Sequence, residues 1–410
     1  MKPRILYTAF DLVPSPKGAS THITYFVRGL VEAGLDVTLI TAGDPSLPDQ
    51  ESYYGATLLR APWGDDPHFL RRAVAFGRFV LAHIAAQPAY DLVHVRSIWS
   101  GFPLTQVKRP YGFKLLYEVN GLPSIEMKYH YPALSETAVI AKLQEQESAT
   151  LHAADAIITP SQVTAAYLTS LRIPAAKITV IPNGFDTEQF TDDIRQASSV
   201  NRQAPIVLYV GTLADWQGLD VLLHALALVV AQQPCTLHIV GRGRKRQQKR
   251  LRKLAQKLGV EEHVTVATAV PHSHIPAIIA QADVCVAPLS YNDRNVVQGC
   301  CPIKILEYMA AGKPIVAANL PVARELVCAD REALLFTPDD PEHLAQQLRT
   351  LLNDPHLARC LGEQAANRAR REFTWSLAQS RLLAVYQDLD VSSAATTATD
   401  SSYVASRLPA

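Results

Sequence analysis

The chain of 410 residues lacks any apolar run of 18 residues, so nothing in it reads as a membrane span. It also lacks a charge excess. With 39 Lys and Arg against 38 Asp and Glu the net charge is +1, which excludes a global field that would recruit nucleic acid or lipid. Cysteine is missing from the first half altogether. The six that exist, Cys235, Cys285, Cys300, Cys301, Cys328 and Cys360, fall in no CxxC or metal-type spacing. They are expected to be buried thiols in a reducing, cytoplasmic compartment, with the vicinal pair Cys300-Cys301 left unexplained. The N-terminal apolar run breaks at Asp11, as a strand does and a signal-peptide core does not. The dinucleotide fingerprint GxGxxG is absent as well, because IVGRG at 239–243 offers only G-x-G.

What is present is alternation. Strand-like runs occur at 5–10, 37–41, 56–61, 92–95, 114–119, 156–159 and 178–181, with helical patterns near 20–34, 67–86, 134–152 and 161–171. The pattern restarts with strands at 206–210, 236–240, 264–267, 284–288, 314–318 and 333–336, separated by helices near 218–231, 244–258, 273–281 and 302–311. Strands alternating with helices imply parallel sheets covered on both faces. Two restarts imply an α/β protein of two doubly wound, Rossmann-like domains, one over 1–195 and one over 203–375. The polar segment 191–205 is read as the hinge. Ligands of such sheets sit at the carboxyl ends of the strands, so the two domains are expected to share a cleft. Residues 391–410, rich in Ser, Thr and Ala, are expected to be disordered.

Several stretches carry chemistry. In CPIKILEYMAAGKPIV (301–316), Pro302 suits the first helical position and Gly312 with Pro314 ends a helix of about ten residues. The start of that helix offers the amides of Ile303, Lys304 and Ile305 to an anion, with the lysine adding a full charge. Glu307, one turn deeper, is an acceptor only and suits hydroxyls. A phosphate beside a polyol outlines a nucleotide sugar. Gly18 and Ala19 sit in a strand-to-helix loop where backbone approaches a diphosphate, with Ser20 or Thr21 as candidate N-cap. After the strand at 114–119, Glu118, Asn120, Glu126, Lys128 and His130 reach toward the cleft. Residues 242–257 hold nine Lys or Arg, with Arg246, Arg250, Lys253 and Lys257 on one helical face and Leu251, Leu254 and Leu258 inward. That face is either solvated or a weak peripheral contact with anionic lipid at the inner membrane surface. Without interleaved aromatics it is not a nucleic-acid site.

The segments PKGASTH (16–22), ADAIITPSQ (154–162), ITVIPNGFDTEQF (178–190), YVGTLADWQGLDVLL (209–223), IVGRG, PIKILEYMAAGKPIVAANLPVARELV (302–327) and REFTWSLAQSRLLAVY (371–386) stand in an order that resembles the retaining glycosyltransferases of family 4. This is a large bacterial family of the GT-B architecture, and the resemblance spans about residues 4–390. It implies transfer of a hexosyl unit from a nucleoside-diphosphate sugar to an acceptor hydroxyl, on a polysaccharide, glycolipid or small metabolite, without metal or other cofactor. It further implies a final helix, 376–390, that crosses back to the first domain. Glu307 matches the second glutamate of the family's E-x7-E motif and would hold ribose; Gly18 and Ala19 match the loop at the diphosphate; Arg242 and 267–270 match the wall around the base. The chain departs from the family at four places. Gly299 stands for the first glutamate, Thr212 and Gln217 for the arginine and lysine that grip the phosphates, and Asn120 for a histidine near the transferred sugar. Lys304 is expected to restore part of the charge, and Glu126, Lys128 and His130 are candidates for the acceptor side. Two rivals follow from the departures and the shared architecture: a catalytically degenerate scaffold or binding subunit, and a sugar-nucleotide epimerase.

Overall fold

A computed structural model describes residues 2–62, 68–132, 137–191 and 204–391. The first half runs β1 (Arg4–Leu12), α1 (Gly18–Glu32), β2 (Asp36–Ala42), β3 (Gln50–Tyr53), β4 (Ala56–Ala61), α2 (Phe69–Ala86), β5 (Leu92–Val95), α3 (Ile98–Tyr111), β6 (Lys114–Glu118), α4 (Pro123–His130), α5 (Ala138–Ala153), β7 (Ala156–Thr159), α6 (Gln162–Ser170) and β8 (Ile178–Val180). Its eight strands lie in the order β3-β4-β2-β1-β5-β6-β7-β8. All neighbours are parallel except β3, which pairs antiparallel with β4 at the edge.

The second half runs β9 (Ile206–Val210), α7 (Leu219–Val230), β10 (Thr236–Val240), α8 (Lys245–Lys257), β11 (Val264–Ala267), α9 (Ile275–Ala280), β12 (Val284–Ala287), a π-helical turn (Arg294–Gln298), α10 (Ile303–Ala310), β13 (Ile315–Ala318), α11 (Pro321–Arg324), β14 (Leu334–Phe336), α12 (Pro341–Asn353), α13 (Pro355–Glu372) and α14 (Trp375–Asp388). Its six strands are parallel, in the order β11-β10-β9-β12-β13-β14.

The period of two along each strand feeds two apolar layers per sheet. Val207 and Tyr209 of β9 face one cluster of the second domain, while Leu208 and Val210 face the other. In β1 the same split sends Ile5, Tyr7 and Ala9 one way and Leu6 the other. The chain then returns. Trp375, Ala378, Leu382, Val385 and Tyr386 of α14 pack into the first domain's cluster beside Ile23, Phe26 and Leu30 of α1, and the rings of Trp375 and Tyr25 stack with centroids 4.8 Å apart.

Several elements differ from the sequence reading, among them α11, α12 and α13 of the second half, for which no helix was expected. The polar edge strand β3 carries no apolar alternation, so it left no signal. The helix α3 contains Pro103 and Pro110, which in sequence look like breakers; buried Ile98 and Leu104 hold it in place all the same. The stretch 123–130, read as a loop, is the helix α4, with Pro123 opening it. The hinge 191–205 lies largely outside the described residues, as does the tail beyond Val391. All six cysteines are free; Cys235, Cys285 and Cys301 are buried as expected, but Cys300 and Cys360 are half-buried and Cys328 is exposed. On α8, Leu251 and Ala255 are buried, and Leu254 and Leu258 pack partly against the core, as the periodicity indicated. Arg250, however, turns to Asp215 and Asp220 at 3.0 and 3.4 Å, so the basic face is partly neutralised from within. Among the described residues no helix is long and apolar enough to cross a membrane.

Candidate functional site at the interdomain cleft

The second domain supplies its half of the site from three turns at strand ends. Gly211 follows β9 at φ 146°, and a Cβ there would lie 2.9 Å from the Lys304 ammonium. Gly241 follows β10 with its Cα against the Gly211 carbonyl, leaving no space for a side chain. These two close approaches place Thr212 and Arg242 side by side, joined by a hydrogen bond from the Leu213 amide to the Arg242 carbonyl at 2.9 Å. The Thr212 carbonyl accepts from the Tyr209 hydroxyl at 2.6 Å, and Arg242 is exposed.

The helix α10 is eight residues long, and Pro302 is its N-cap, not its first turn, with ψ 102°. A proline ring offers no capping group, so the Ile303 and Lys304 amides have no side-chain cap. The Ile305 amide is spent on the Pro302 carbonyl at 3.0 Å and its side chain is fully buried in the core, so it is not available as the third donor expected.

Lys304 also differs from expectation. It is buried, lies 4.0 Å above the Tyr209 ring, and donates to Oε1 of Gln217 at 2.6 Å. With a neutral partner, burial pushes its ammonium down to about 7 even though Cys300 and Glu307 pull the other way. Burial thus weakens its hold on the proton, so it is not the fixed full cation expected.

Glu307, buried one turn deeper, sits with Oε1 2.7 Å from Nε2 of His272. Burial alone would lower the imidazole, but the Glu307 carboxylate outweighs it and raises its pKa above the ordinary value. His272 follows the 267–270 wall by two residues; the sequence reading stopped short of it.

The first domain meets this half at Gly18. Gly18 opens α1, and a Cβ on it would stand 3.2 Å from Cδ1 of Ile303. The N-cap of α1 is Lys17, without a side-chain bond, so neither Ser20 nor Thr21 caps the helix; Ser20 Oγ instead accepts from the Ser15 amide at 2.9 Å. Ala19 follows in the first turn, half-buried.

Behind α1 lies a buried charge cluster around Glu118, at the end of β6. Tyr7 donates to it at 2.6 Å and Arg96 Nε at 2.8 Å, while Nε2 of His22 and His94 lie 2.8 and 3.0 Å away. Asn120 Nδ2 donates to the same carboxylate. Burial would raise the Glu118 pKa, yet His22 and Arg96 more than offset it and hold it well below the usual carboxylate range. His94, in contrast, is lowered, chiefly by burial. Asn120 thus faces a small cavity lined by His22, Phe26, Thr159 and Ile181. Arg96 reaches on to Asp11 at 2.9 Å, at the end of β1.

The acceptor-side candidates are tied across the cleft. Glu126 Oε1 accepts from Arg294 Nε at 3.1 Å and from Gln298 Nε2 at 3.0 Å. Lys128 and Tyr129 both bond Asp293. His130 is exposed and meets Trp216 edge-on at 5.3 Å. So α4 is strapped to the π-helical turn. A second strap lies beside it: Glu325 accepts from the Gln162 and Val163 amides, both at 2.9 Å, capping α6 from the other domain. Between the straps stands Gly299 at φ 81°, where a Cβ would meet Ser161 Oγ and Thr164 Oγ1 at 2.8 Å.

Taken together, Gly18, Thr212, Gln217, Ile303, Lys304 and Glu307 converge where the domains touch, and Arg242 borders them. Asn120 lies behind α1, and the α4 residues form a separate group, with Glu126 on Arg294 and Gln298, Lys128 on Asp293 and His130 against Trp216. His22, His94, Arg96, Asn183 and His272 were not anticipated as parts of the site. Among the described residues, no group of three His, Cys, Asp or Glu side chains is arranged to hold a metal ion.

A family model described as "Glycosyl transferases group 1" matches residues 190–368, and one described as "Glycosyltransferase Family 4" matches 16–189. Among curated proteins, a D-inositol 3-phosphate glycosyltransferase of Catenulispora acidiphila is 28% identical over 388 residues, covering 90% of each chain. Among solved structures, the sucrose-phosphate synthase of Thermosynechococcus elongatus superposes with a TM-score of 0.79 at 24% identity, over 95% of this chain and 99% of that one. The Anabaena HepE protein, solved with UDP and glucose, gives 0.74 at 20% identity, over 94% and 100%.

Proposed function

The chain belongs to the group 1 glycosyltransferases of GT-B fold, and from that premise we propose that it transfers a hexosyl unit from a nucleoside-diphosphate sugar to an acceptor hydroxyl with retention of configuration and without a metal ion. Glycosyl transfer from a nucleotide sugar is common ground with its relatives; retention, the metal-free mechanism and the seats of the substrates are the proposal. The observation that carries it is the start of α10: uncapped amides at Ile303 and Lys304, the Ile303 side chain against Gly18, and Glu307 held by His272 one turn deeper.

In this reading the diphosphate lies between α10 and the pair Gly18 and Ala19, which stand in the first turn of α1 and not in the loop before it, bordered by Thr212 and Gln217. The ribose takes Glu307, whose carboxylate accepts from its hydroxyls while His272 keeps it oriented, and Arg242 walls the base. As the glycosidic bond breaks, charge grows on the departing phosphate oxygen, where preorganised amides act most strongly. An arriving phosphate also raises the Lys304 ammonium back toward full protonation, because it supplies the counter-charge that Gln217 lacks. Glu118 is held by its ring of donors and Glu126 by Arg294 and Gln298, so neither is free to attack the anomeric carbon. The acceptor proton then goes to the departing oxygen on the same face, which gives retention. Asn120 orients the sugar and is no base, since an amide has no useful pKa.

A binding-only subunit is favoured by one feature, the neutral Gln217 sitting on Lys304. Incubation with a panel of UDP- and GDP-sugars and lipid extracts separates the two: nucleotide released with a new glycoside, its anomeric proton read by NMR, supports transfer, and binding without turnover supports the subunit. Within the transfer reading, Glu307→Ala should raise the donor KM about tenfold, roughly 1.4 kcal/mol. An unchanged donor KM removes Glu307 from the ribose.

A further inference from the structure

The segment Ile181–Asp186, IPNGFD, lies at the junction of three parts of the molecule. Asn183 is buried. Its Nδ2 donates to the Cys301 carbonyl at 2.8 Å, and its Oδ1 lies 2.7 Å from Nδ1 of His22. The amide orientation is fixed, because exchanging the two atoms would set oxygen against the carbonyl. Nδ1 of His22 is therefore the donor, and its other nitrogen lies against Glu118. Gly184 has no space for a Cβ, since the returning backbone at Thr374 and Trp375 passes directly over it. Asp186 accepts from Tyr25 of α1 at 2.5 Å.

His22 lies about one turn into α1, the helix that Gly18 opens. Cys301 lies two residues before Ile303, whose amide starts α10. The same two elements thus meet twice. At Gly18 and Ile303 the contact is apolar and non-directional; at Asn183 it is a pair of directed hydrogen bonds. We propose that Asn183 is a positioning residue for glycosyl transfer, registering the start of α10 against the start of α1 through the Cys301 carbonyl and His22. The proposal rests on the reading of α10 as the diphosphate seat. In that reading the nucleotide is held mainly by the second domain, through α10, Glu307 and Arg242, and the first domain adds only the Gly18-Ala19 start of α1, whereas transfer needs both walls in register. A misplacement of about 1 Å between reacting groups lowers turnover steeply.

The test uses the full chain with Asn183→Asp, which keeps the acceptor for His22 but turns a carboxylate oxygen toward the Cys301 carbonyl, and with Asn183→Ala. Three quantities are read: the affinity for UDP and for GDP by calorimetry, kcat with the active donor, and the radius of gyration in solution. The expected result for both variants is nucleotide affinity within about threefold of the parent, kcat lower by about tenfold or more, and a larger radius of gyration. Unchanged kcat in both variants overturns the proposal. So does a parallel fall of kcat, nucleotide affinity and thermal midpoint, which is what a purely structural asparagine produces. A parent chain that neither binds UDP or GDP nor turns over any donor would sink the reading of α10 instead. The scattering comparison would then still decide whether Asn183 holds the domains together.

Discussion

On the first-domain wall of the cleft, Glu118 is met by Tyr7, His22, His94, Arg96 and Asn120, all within one buried cluster. On the second-domain wall, Lys304 meets the neutral Gln217 and Glu307 meets the single histidine His272. Both walls bury charge, but they satisfy it to different degrees. Charge taken out of water costs several kcal/mol per ion unless partners restore what hydration gave. The first wall gives the Glu118 carboxylate hydrogen bonds from Tyr7, Arg96 and Asn120 and sets two histidines beside it. The second leaves a deficit, most of all at Lys304, and a deficit is what an incoming phosphate can fill. The wall with fewer partners is the one suited to bind.

The contrast can be broken most forcefully from the first wall. Glu118→Gln leaves His22 and Arg96 facing a neutral amide inside the protein, and should cost about 3–5 kcal/mol in denaturant unfolding. A loss below about 1 kcal/mol would mean that the cluster is no more demanding than Lys304.

A sharper and smaller effect belongs to Lys304. Its folded value is about 7, against 10.5 when exposed. Between those values the unfolded chain binds the proton and the folded chain does not, so stability should rise with pH across this window. Lys304→Met should flatten the rise. Binding of the diphosphate at pH 8 should also take up protons, approaching one per site, read by calorimetry in buffers of different ionisation enthalpy. The Met variant should take up none, and uptake that survives it would point to another group.

The smallest effect is expected at His272. A raised imidazole stabilises the fold fully below its unfolded value near 6.5 and loses that contribution as pH climbs through the folded value. The stability gap between the parent and His272→Gln should therefore be wider at pH 5.5 than at pH 8.5, with the donor KM raised only about threefold. An equal gap at both pH values would separate His272 from Glu307.

The second sheet was legible almost residue by residue, because its strands are short apolar runs bounded by Gly and Pro. In the first sheet, β3 escaped for want of apolar side chains and α3 because its prolines argue against a helix locally while packing argues for it. Within the candidate site, Gly18, Lys304 and Glu307 stand in linear motifs, and the structure brings Gly18 and Lys304 to the meeting of α1 and α10 with Glu307 one turn deeper. The contacts around them are not legible in a linear pattern. His94 lies inside LVHV and reads as core filling; its meeting with Glu118 requires β5 and β6 to be neighbours in register. The bond between His22 and Asn183 spans 161 residues and His272 meets Glu307 across 35. The lowered pKa of Lys304 comes chiefly from its burial in the folded chain, which no one-dimensional pattern records.

Gly299, held at φ 81° between Ser161 and Thr164, has a consequence for anyone who would redesign this protein. Installing an acidic side chain there takes more than one codon. The newcomer would have to wedge α6 outward, which would also unseat the Glu325 cap and loosen the straps on either side. A workable route back would begin with smaller residues at 161 and 164, and only afterwards add the carboxylate.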